Sequence, residues 1–168
     1  DKREVAEMVK MKKKAKRNGI GTVGEKRVET KVMCNTLAYG AEITVNSAAK
    51  YKRGKGSGIG GILVERKGLV DKLKANPRYA HFNEPDHSYH GLVYVDVPLP
   101  PFTLRARLSL LRDLGAVVSP FNSWLFIQGI ETFTLRMREH SKNALELSEY
   151  LESHPKVKKV NYPGLKSN

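Results

Sequence analysis

The chain has 168 residues, of which 40% are hydrophobic, so it is long and apolar enough to bury one ordinary core. Its 30 Lys and Arg residues outnumber 17 Asp and Glu residues, and the resulting formal charge of +13 favours polyanions such as nucleic acid, an anionic membrane surface or a phosphorylated ligand. The single cysteine, Cys34, excludes an internal disulfide and a zinc-cysteine cluster, which fits a reducing cytoplasm. We expect neither a membrane span nor a signal peptide, because no apolar run is long enough and the first residues are charged.

The first segment, residues 1–18, has apolar residues at Val5, Met8 and Val9, followed by a basic run at residues 10–17. This pattern predicts a helix whose far end is cationic and solvated, where the negative end of the helix dipole favours basic side chains. A nucleic-acid-binding arm is the alternative for the same run, and we favour the first interpretation.

The next segment has the pattern of a strand, a helix and a second strand. Residues 19–24 predict a short buried strand that ends at Glu25, residues 32–39 a helix stopped by Gly40, and residues 42–46 another strand. Short connections make this a right-handed parallel βαβ unit. Glu25 would then lie at the carboxyl end of a strand, where open α/β sheets bind ligands, although an exposed strand-end acid gives the same pattern.

A polar turn follows, with Ser47 and Lys50 placed just past the second strand and several glycines before a third predicted strand at residues 59–64. Glycines let a ligand approach the backbone closely, and a lysine at this position suits Schiff-base formation with an aldehyde cofactor. Such an amine must be available for reaction, so we expect Lys50 to be buried beside other cations. Spacing alone favours a different interpretation, a solvated lysine in a loop.

The second half of the chain is mainly helical. Residues 67–76 predict a polar helix, residues 77–101 a loop-rich stretch expected at the surface and in subunit contacts, and residues 102–115 a helix closed by its last glycine. The histidines of this loop match no metal-ligand spacing, so we predict no metal site.

Ser119 and Pro120 predict a helix start, with serine as the cap and proline in the first turn. The helical pattern then continues to Ser153, which is long enough to indicate two abutting helices or one that bridges domains. Residues 157–162 predict a strand. Core or interface packing is predicted for the large apolar residues at helical spacing, namely Trp124, Phe126, Phe133 and Met137.

One segment resembles a known motif. It reads Ser47-Ala-Ala-Lys50-Tyr51, followed by Gly54 and Gly56, and it is similar to the lysine segment Ser-x-Thr-Lys-Tyr-x-x-Gly-His-Gly of the Cys/Met-metabolism pyridoxal-phosphate enzymes. Within that family the chain is most similar to the O-acetylhomoserine sulfhydrylases, from about Asn18 to its last residue. Further matches occur in the same order along the chain, at residues 85–94, 110–115, 119–122, 128–132, 135–137, 151–155 and 161–165.

The resemblance implies an α/β fold, namely part of the large domain of the aspartate aminotransferase-like (type I) pyridoxal-phosphate transferases, with a mostly parallel sheet flanked by helices. Residues 1–154 would belong to that domain and include a long bridging helix, and residues 155–168 would begin the small C-terminal domain. The family's enzymes are longer, so this chain would be the central part of one. They assemble as tetramers of close dimers that share active sites, which implies a homo-oligomer.

The resemblance also implies the site. Lys50 would bind pyridoxal 5'-phosphate as a Schiff base and move protons, Glu25 would pair with the pyridine nitrogen, and Ser47 would bind the phosphate. The implied reaction is γ-replacement on O-acetylhomoserine, in which sulfide or a thiol displaces acetate to give homocysteine or methionine.

The chain departs from the family pattern around this site. Ala49 replaces a threonine, which removes one hydroxyl from the phosphate site, and Glu25 replaces an aspartate. The added cations Lys26, Arg27, Arg53 and Lys55 could offset the lost hydroxyl. The same departures fit a non-catalytic relative on the same scaffold. A basic nucleic-acid-binding protein is a third and less favoured alternative, for which the charge is the only argument.

Overall fold

The computed structural model describes residues 2–26, 34–56 and 58–167. The strands of this part are β1 (Val23–Lys26), β2 (Ile43–Ser47) and β3 (Gly61–Glu65). Its α-helices are α1 (Lys2–Arg17), α2 (Val70–Leu73), α3 (Ala80–Asn83), α4 (Pro101–Arg105), α5 (Arg112–Leu114), α6 (Pro120–Glu131) and α7 (Phe133–Ser153). Short 3-10 helices lie at Pro77–Tyr79, His87–Tyr89 and Tyr94–Asp96, and a π-helical segment joins α4 to α5 at Ala106–Leu111.

The described strands form one sheet in the order β1-β2-β3. β1 runs parallel to β2, with Glu25 opposite Val45, and β3 runs antiparallel to β2, with Gly61 opposite Ser47. The strands predicted at residues 42–46 and 59–64 are therefore confirmed to within one or two residues. Because β3 follows β2 through a compact turn, it returns antiparallel, and the described sheet is mixed within the expected α/β class.

The predicted helix at residues 32–39 is not observed where the structure describes it. Residues 27–33, which include Arg27, lie outside the described residues, and so does the start of that helix. Residues 36–40 form a hydrogen-bonded turn, in which the amides of Ala38 and Tyr39 both donate to the carbonyl oxygen of Asn35 (2.9 and 3.3 Å). A stretch this short forms too few hydrogen bonds to offset the cost of nucleating a helix.

The main core packs β2 against the segment that follows β3. The stretch predicted as a surface excursion, residues 77–101, contributes half of this core, so that prediction is wrong. The helix predicted at residues 67–76 is shorter than expected, because Lys74 is extended (ψ 132°) and the next residue, Ala75, is left-handed (φ 54°). The buried residues of the core are Ile43, Leu69, Leu73, Phe82, Tyr94 and Val95.

A hydrogen-bond network around Asp86 fixes this segment. The carboxylate accepts hydrogen bonds from the amide (2.9 Å) and hydroxyl (2.6 Å) of Ser88 and from the hydroxyls of Tyr94 and Ser109 (3.2 Å). The hydrogen bonds from Ser88 and Tyr94 hold the pKa of the Asp86 carboxyl well below its usual value. Burial, together with the bond to Asp86, raises the pKa of the Tyr94 hydroxyl.

This network predicts an acid-sensitive contribution to stability. A carboxyl whose pKa is lowered by folding stabilises the native state above its unfolded-state pKa, about 3.9, and the contribution is lost as the pH falls below that value. We expect Asp86→Asn to be less stable than the wild type at neutral pH, and to lose less stability on acidification. Urea midpoints measured from about pH 6 to about pH 3 would show converging curves. The exposed carboxylate Asp71 gives the control, Asp71→Asn. Parallel curves for wild type and Asp86→Asn would contradict the prediction.

The helical part of the chain follows the sequence signals closely. A continuous helical run from Pro101 to Leu114 ends at Gly115, which is left-handed (φ 68°). The Ser119 hydroxyl accepts a hydrogen bond from the amide of Asn122 (3.2 Å) and so caps α6 as predicted. α6 and α7 are two abutting helices.

The packing predictions in this region are confirmed for three of four residues, and one strand prediction is wrong. Phe126, Phe133 and Met137 are buried as expected, whereas Trp124 is 53% exposed in the described chain, so for Trp124 only interface packing stays a prediction. Residues 157–162, all of them described, form no strand, because they are not hydrogen-bonded to any of the described strands in a ladder.

Candidate cofactor site

The turn after β2 holds the candidate lysine. We call residues 48–54 the Lys50 loop. The amide of Ala48 donates to the Gly60 carbonyl (2.9 Å), which extends the pairing of β2 with β3 by one residue. The amide of Arg53 donates to the Ala48 carbonyl (3.2 Å), and that of Gly54 donates to the Lys50 carbonyl (2.8 Å). These bonds close the loop into a compact turn directly past the end of the strand.

The predicted site residues Lys50, Ser47 and Glu25 lie around one end of the sheet. The Nζ atom of Lys50 lies 3.5 Å from the Ser47 hydroxyl oxygen, a long hydrogen bond. Glu25 pairs with Val45, two residues before Ser47. Because side chains alternate along a strand, Glu25 and Ser47 project from the same face of the sheet, and the amine of Lys50 reaches that face.

This face is open within the described part of the chain. Lys50 and Glu25 are both exposed, so the expected burial of Lys50 is wrong for these residues. Apolar side chains of the same face are also exposed, including Val23 (61%) and Leu63 (45%). Within the described residues, the Lys50 amine is therefore open to solvent on a face that carries both apolar and polar side chains.

The cations near Lys50 do not all face this site. Arg53 is only 4% exposed, and its guanidinium carbon lies 5.6 Å from the centre of the Phe126 ring. Within the described residues, its Nη1 atom has no hydrogen-bond partner. Lys52 donates to the side-chain oxygen of Asn46 (2.7 Å), which projects from the opposite face of β2. Lys55 is the exposed cation of this group.

Arg136, on α7, binds the backbone of the Lys50 loop. Its Nη1 atom donates to the carbonyl oxygen of Tyr51 (2.8 Å), and its Nη2 atom donates to those of Lys52 (3.3 Å) and Gly129 (2.6 Å). Its Nε atom donates to the Thr132 hydroxyl (3.1 Å). The planar guanidinium thus joins the loop, the end of α6 and the start of α7.

Two glycines allow this close packing. A Cβ atom added at Gly129 would lie 2.6 Å from the Cα of Arg53 and 2.7 Å from the carbonyl oxygens of Lys52 and Arg53. A Cβ atom at Gly54 would meet the guanidinium of Arg136, and Gly54 is left-handed (φ 75°), which favours glycine. The loop and α6 therefore pack backbone against backbone.

A comparison with protein-family models identifies the family of the chain. The model for the Cys/Met metabolism PLP-dependent enzymes matches residues 2–168. The chain belongs to this family.

Individual members of the Cys/Met metabolism family are similar over most of the chain. The O-acetyl-L-homoserine sulfhydrylase of Corynebacterium glutamicum is 40% identical over 92% of the chain, and that of Leptospira meyeri is 39% identical over 99%. A Campylobacter jejuni protein assigned as an O-acetylhomoserine (thiol)-lyase is 43% identical over 96% of the chain, with a TM-score of 0.90, and its crystal structure contains N'-pyridoxyl-lysine-5'-monophosphate. The chain spans 36%, 39% and 39% of the lengths of these three proteins.

The residues at the end of the sheet fit the cofactor that gives the family its name. Lys50 offers an accessible primary amine, Ser47 a hydroxyl beside it, and Glu25 a carboxylate on the neighbouring strand. Ala49 offers no hydroxyl, so the described loop has one polar side-chain donor fewer than the family pattern. No group of three or more His, Cys, Asp or Glu residues in the described part could hold a metal ion. No helix there is long and apolar enough to cross a bilayer.

Sequence reasoning missed Arg136 and Gly129. Both lie in segments that match the family, but neither was given a role. A signal was present: Arg136 lies between Phe133 and Met137 on the buried stripe of α7, where a cation needs partners. Those partners are carbonyl groups more than eighty residues away in the sequence, which no local pattern identifies.

Proposed function

We propose that this chain is part of a pyridoxal-phosphate-dependent enzyme that catalyses γ-replacement on O-acetylhomoserine. Sulfide or a thiol would displace acetate and give homocysteine or methionine. Membership of the Cys/Met metabolism family and the names of the sulfhydrylase relatives support the proposal. The observation that carries it is the Lys50 amine beside the Ser47 hydroxyl, on the sheet face shared with Glu25.

Each residue has a role that follows from its chemistry. When bound, pyridoxal phosphate supplies an electron-accepting ring that stabilises negative charge on the substrate. Lys50 would hold the aldehyde through its amine and, once free, move protons at the α and β carbons of the substrate. Glu25 would keep the pyridine nitrogen protonated, and Ser47 would donate its hydroxyl to the phosphate.

We further propose that residues 1–154 belong to the cofactor-binding domain and residues 155–168 to the start of the next one. The end of α7 at Ser153 supports this division. We propose a cytoplasmic homo-oligomer, a tetramer of close dimers, and the exposed apolar side chains beside Glu25 are consistent with such an assembly. We propose no nucleic acid, membrane or metal among its partners.

Covalent labelling tests the proposal directly. The full-length holoenzyme would be treated with borohydride, digested and analysed by mass spectrometry for pyridoxyl-lysine. We expect the label on Lys50, because its amine is exposed beside Ser47. The neighbouring lysines Lys52 and Lys55 are internal controls and should stay unlabelled. A label on either of them, or none on the peptide, would overturn the assignment of Lys50, and the second result would favour a non-catalytic relative.

A further inference from the structure

Arg136 connects the Lys50 loop to helices α6 and α7. Its guanidinium has five N–H donors, and four hydrogen bonds join it to the carbonyl oxygens of Tyr51, Lys52 and Gly129 and to the hydroxyl of Thr132. The carbonyls of Tyr51 and Lys52 directly follow Lys50 in the chain. The backbone beside the lysine is therefore tied to α6 and α7 by charge-assisted hydrogen bonds, which are stronger than neutral ones.

A second set of contacts also holds the Lys50 loop against α6 and α7. The Tyr51 ring packs edge-on against the ring of His140 on α7, with 5.5 Å between centroids. Arg53 packs on Phe126 of α6, and the close approach of Gly129 leaves the loop no space to shift towards that helix. By contrast, the amine of Lys50 makes one hydrogen bond to the described residues, the long one to Ser47. The position of its amine thus depends on how firmly its backbone is held.

We propose that Arg136 is a positioning residue that fixes the Lys50 loop, so that the Lys50 amine is presented at one place on the sheet face. The effect of Arg136 on the reaction of Lys50 with the cofactor rests on the proposed function, whereas its role in fixing the loop does not. Lysine at this position would keep the charge but not the planar fork, so it could bind one of the carbonyl oxygens but not all three. Glutamine would lose both the charge and the fork.

The test uses the full-length protein with Arg136→Gln and Arg136→Lys, and with Arg138→Gln as the matched control. Arg138 lies two residues further along α7 and is exposed. Hydrogen exchange is measured on peptides that contain the amides of Arg53 and Gly54, whose bonds close the loop. We expect exchange to be faster by at least about tenfold in Arg136→Gln, less so in Arg136→Lys, and unchanged in Arg138→Gln. Unchanged exchange in both Arg136 variants would overturn the proposal, and the lysine variant decides it if the glutamine variant does not fold.

A second measurement separates positioning from general stability. Borohydride labelling of Lys50 should fall in Arg136→Gln, recover partly in Arg136→Lys and stay unchanged in Arg138→Gln, while the melting temperature of Arg136→Lys stays near that of the wild type. Full labelling in a variant whose loop exchanges fast would overturn the role in presenting the amine. If the wild type itself takes no label, the proposed function fails, and hydrogen exchange alone decides whether Arg136 holds the loop.

Discussion

Replacing Lys50 by alanine is expected to reduce γ-replacement by at least about 10³-fold in kcat, because one side chain supplies both the covalent attachment and the proton transfers. The fold should survive the change. Lys50 is exposed, its amine hydrogen-bonds to Ser47 Oγ at 3.5 Å and to no other described residue, and its carbonyl still accepts the bond from Gly54. We therefore expect the free energy of unfolding to change by less than about 0.5 kcal/mol. The measurement is homocysteine formation from O-acetylhomoserine and sulfide by the full-length enzyme.

Lys67→Ala is the matched control for this prediction. Lys67 is an exposed lysine past the end of β3, at the other end of the sheet from Ser47, and has the same charge as Lys50. It should keep kcat within a factor of about two, since exposed substitutions away from a site have small effects. If Lys50→Ala retained more than about a tenth of the wild-type kcat, the lysine would contribute less than a general acid–base group normally does, and the proposed site would be wrong.

Replacing Gly129 by alanine is expected to destabilise the protein by about 3 kcal/mol and to displace the Lys50 loop. At an ordinary helix position this change would stabilise by about 1 kcal/mol, because alanine is the better helix former. The sign reverses here because the new methyl group would lie 2.6 Å from the Cα of Arg53 and 2.7 Å from two carbonyl oxygens. Those are backbone atoms, which cannot move aside as a flexible side chain can. The loop must therefore separate from α6, and Arg136 then loses carbonyl partners.

Thermal unfolding and borohydride labelling of the full-length protein would check both parts of this prediction. Gln128→Ala, at the neighbouring exposed position of α6, is the control and should have little effect on either measurement. A Gly129→Ala protein as stable as the wild type would show that the backbones are further apart than the structure has them. A Gly129→Ala protein with normal stability but reduced labelling would also contradict the steric argument, because the clash that displaces the loop should destabilise the protein as well.

The local signals in the sequence were sufficient for the helical half of the chain. Ser119 and Gly115 mark real helix boundaries, since a serine hydroxyl satisfies a free amide and a glycine adopts the left-handed conformation at little cost. The apolar spacing also identified Phe133 and Met137 as buried. Trp124 shows the limit of that argument, because helical spacing defines a face but not whether another segment covers it.

The candidate site depended on resemblance more than on spacing. Spacing alone favoured a solvated loop for Lys50, and its exposure in the structure agrees with that as a local description. The family motif singled out Lys50, Ser47 and Glu25. Within the described residues Lys50 is exposed, not buried as expected, because burial depends on segments that meet in space. Arg53 was grouped with the cations added at the phosphate site, but it is buried against Phe126.

By itself, the amino-acid sequence determined the family, the strands on either side of Lys50 and the helices that begin at Pro101 and Pro120, because caps, periodicity and motifs act between near neighbours in the chain. Only the tertiary structure decided that Arg136 binds the backbone beside Lys50, and that Gly129 must be glycine. These contacts join groups more than seventy residues apart. Their partners are carbonyl oxygens and Cα atoms, which every residue carries, so no sequence pattern distinguishes them before the chain has folded.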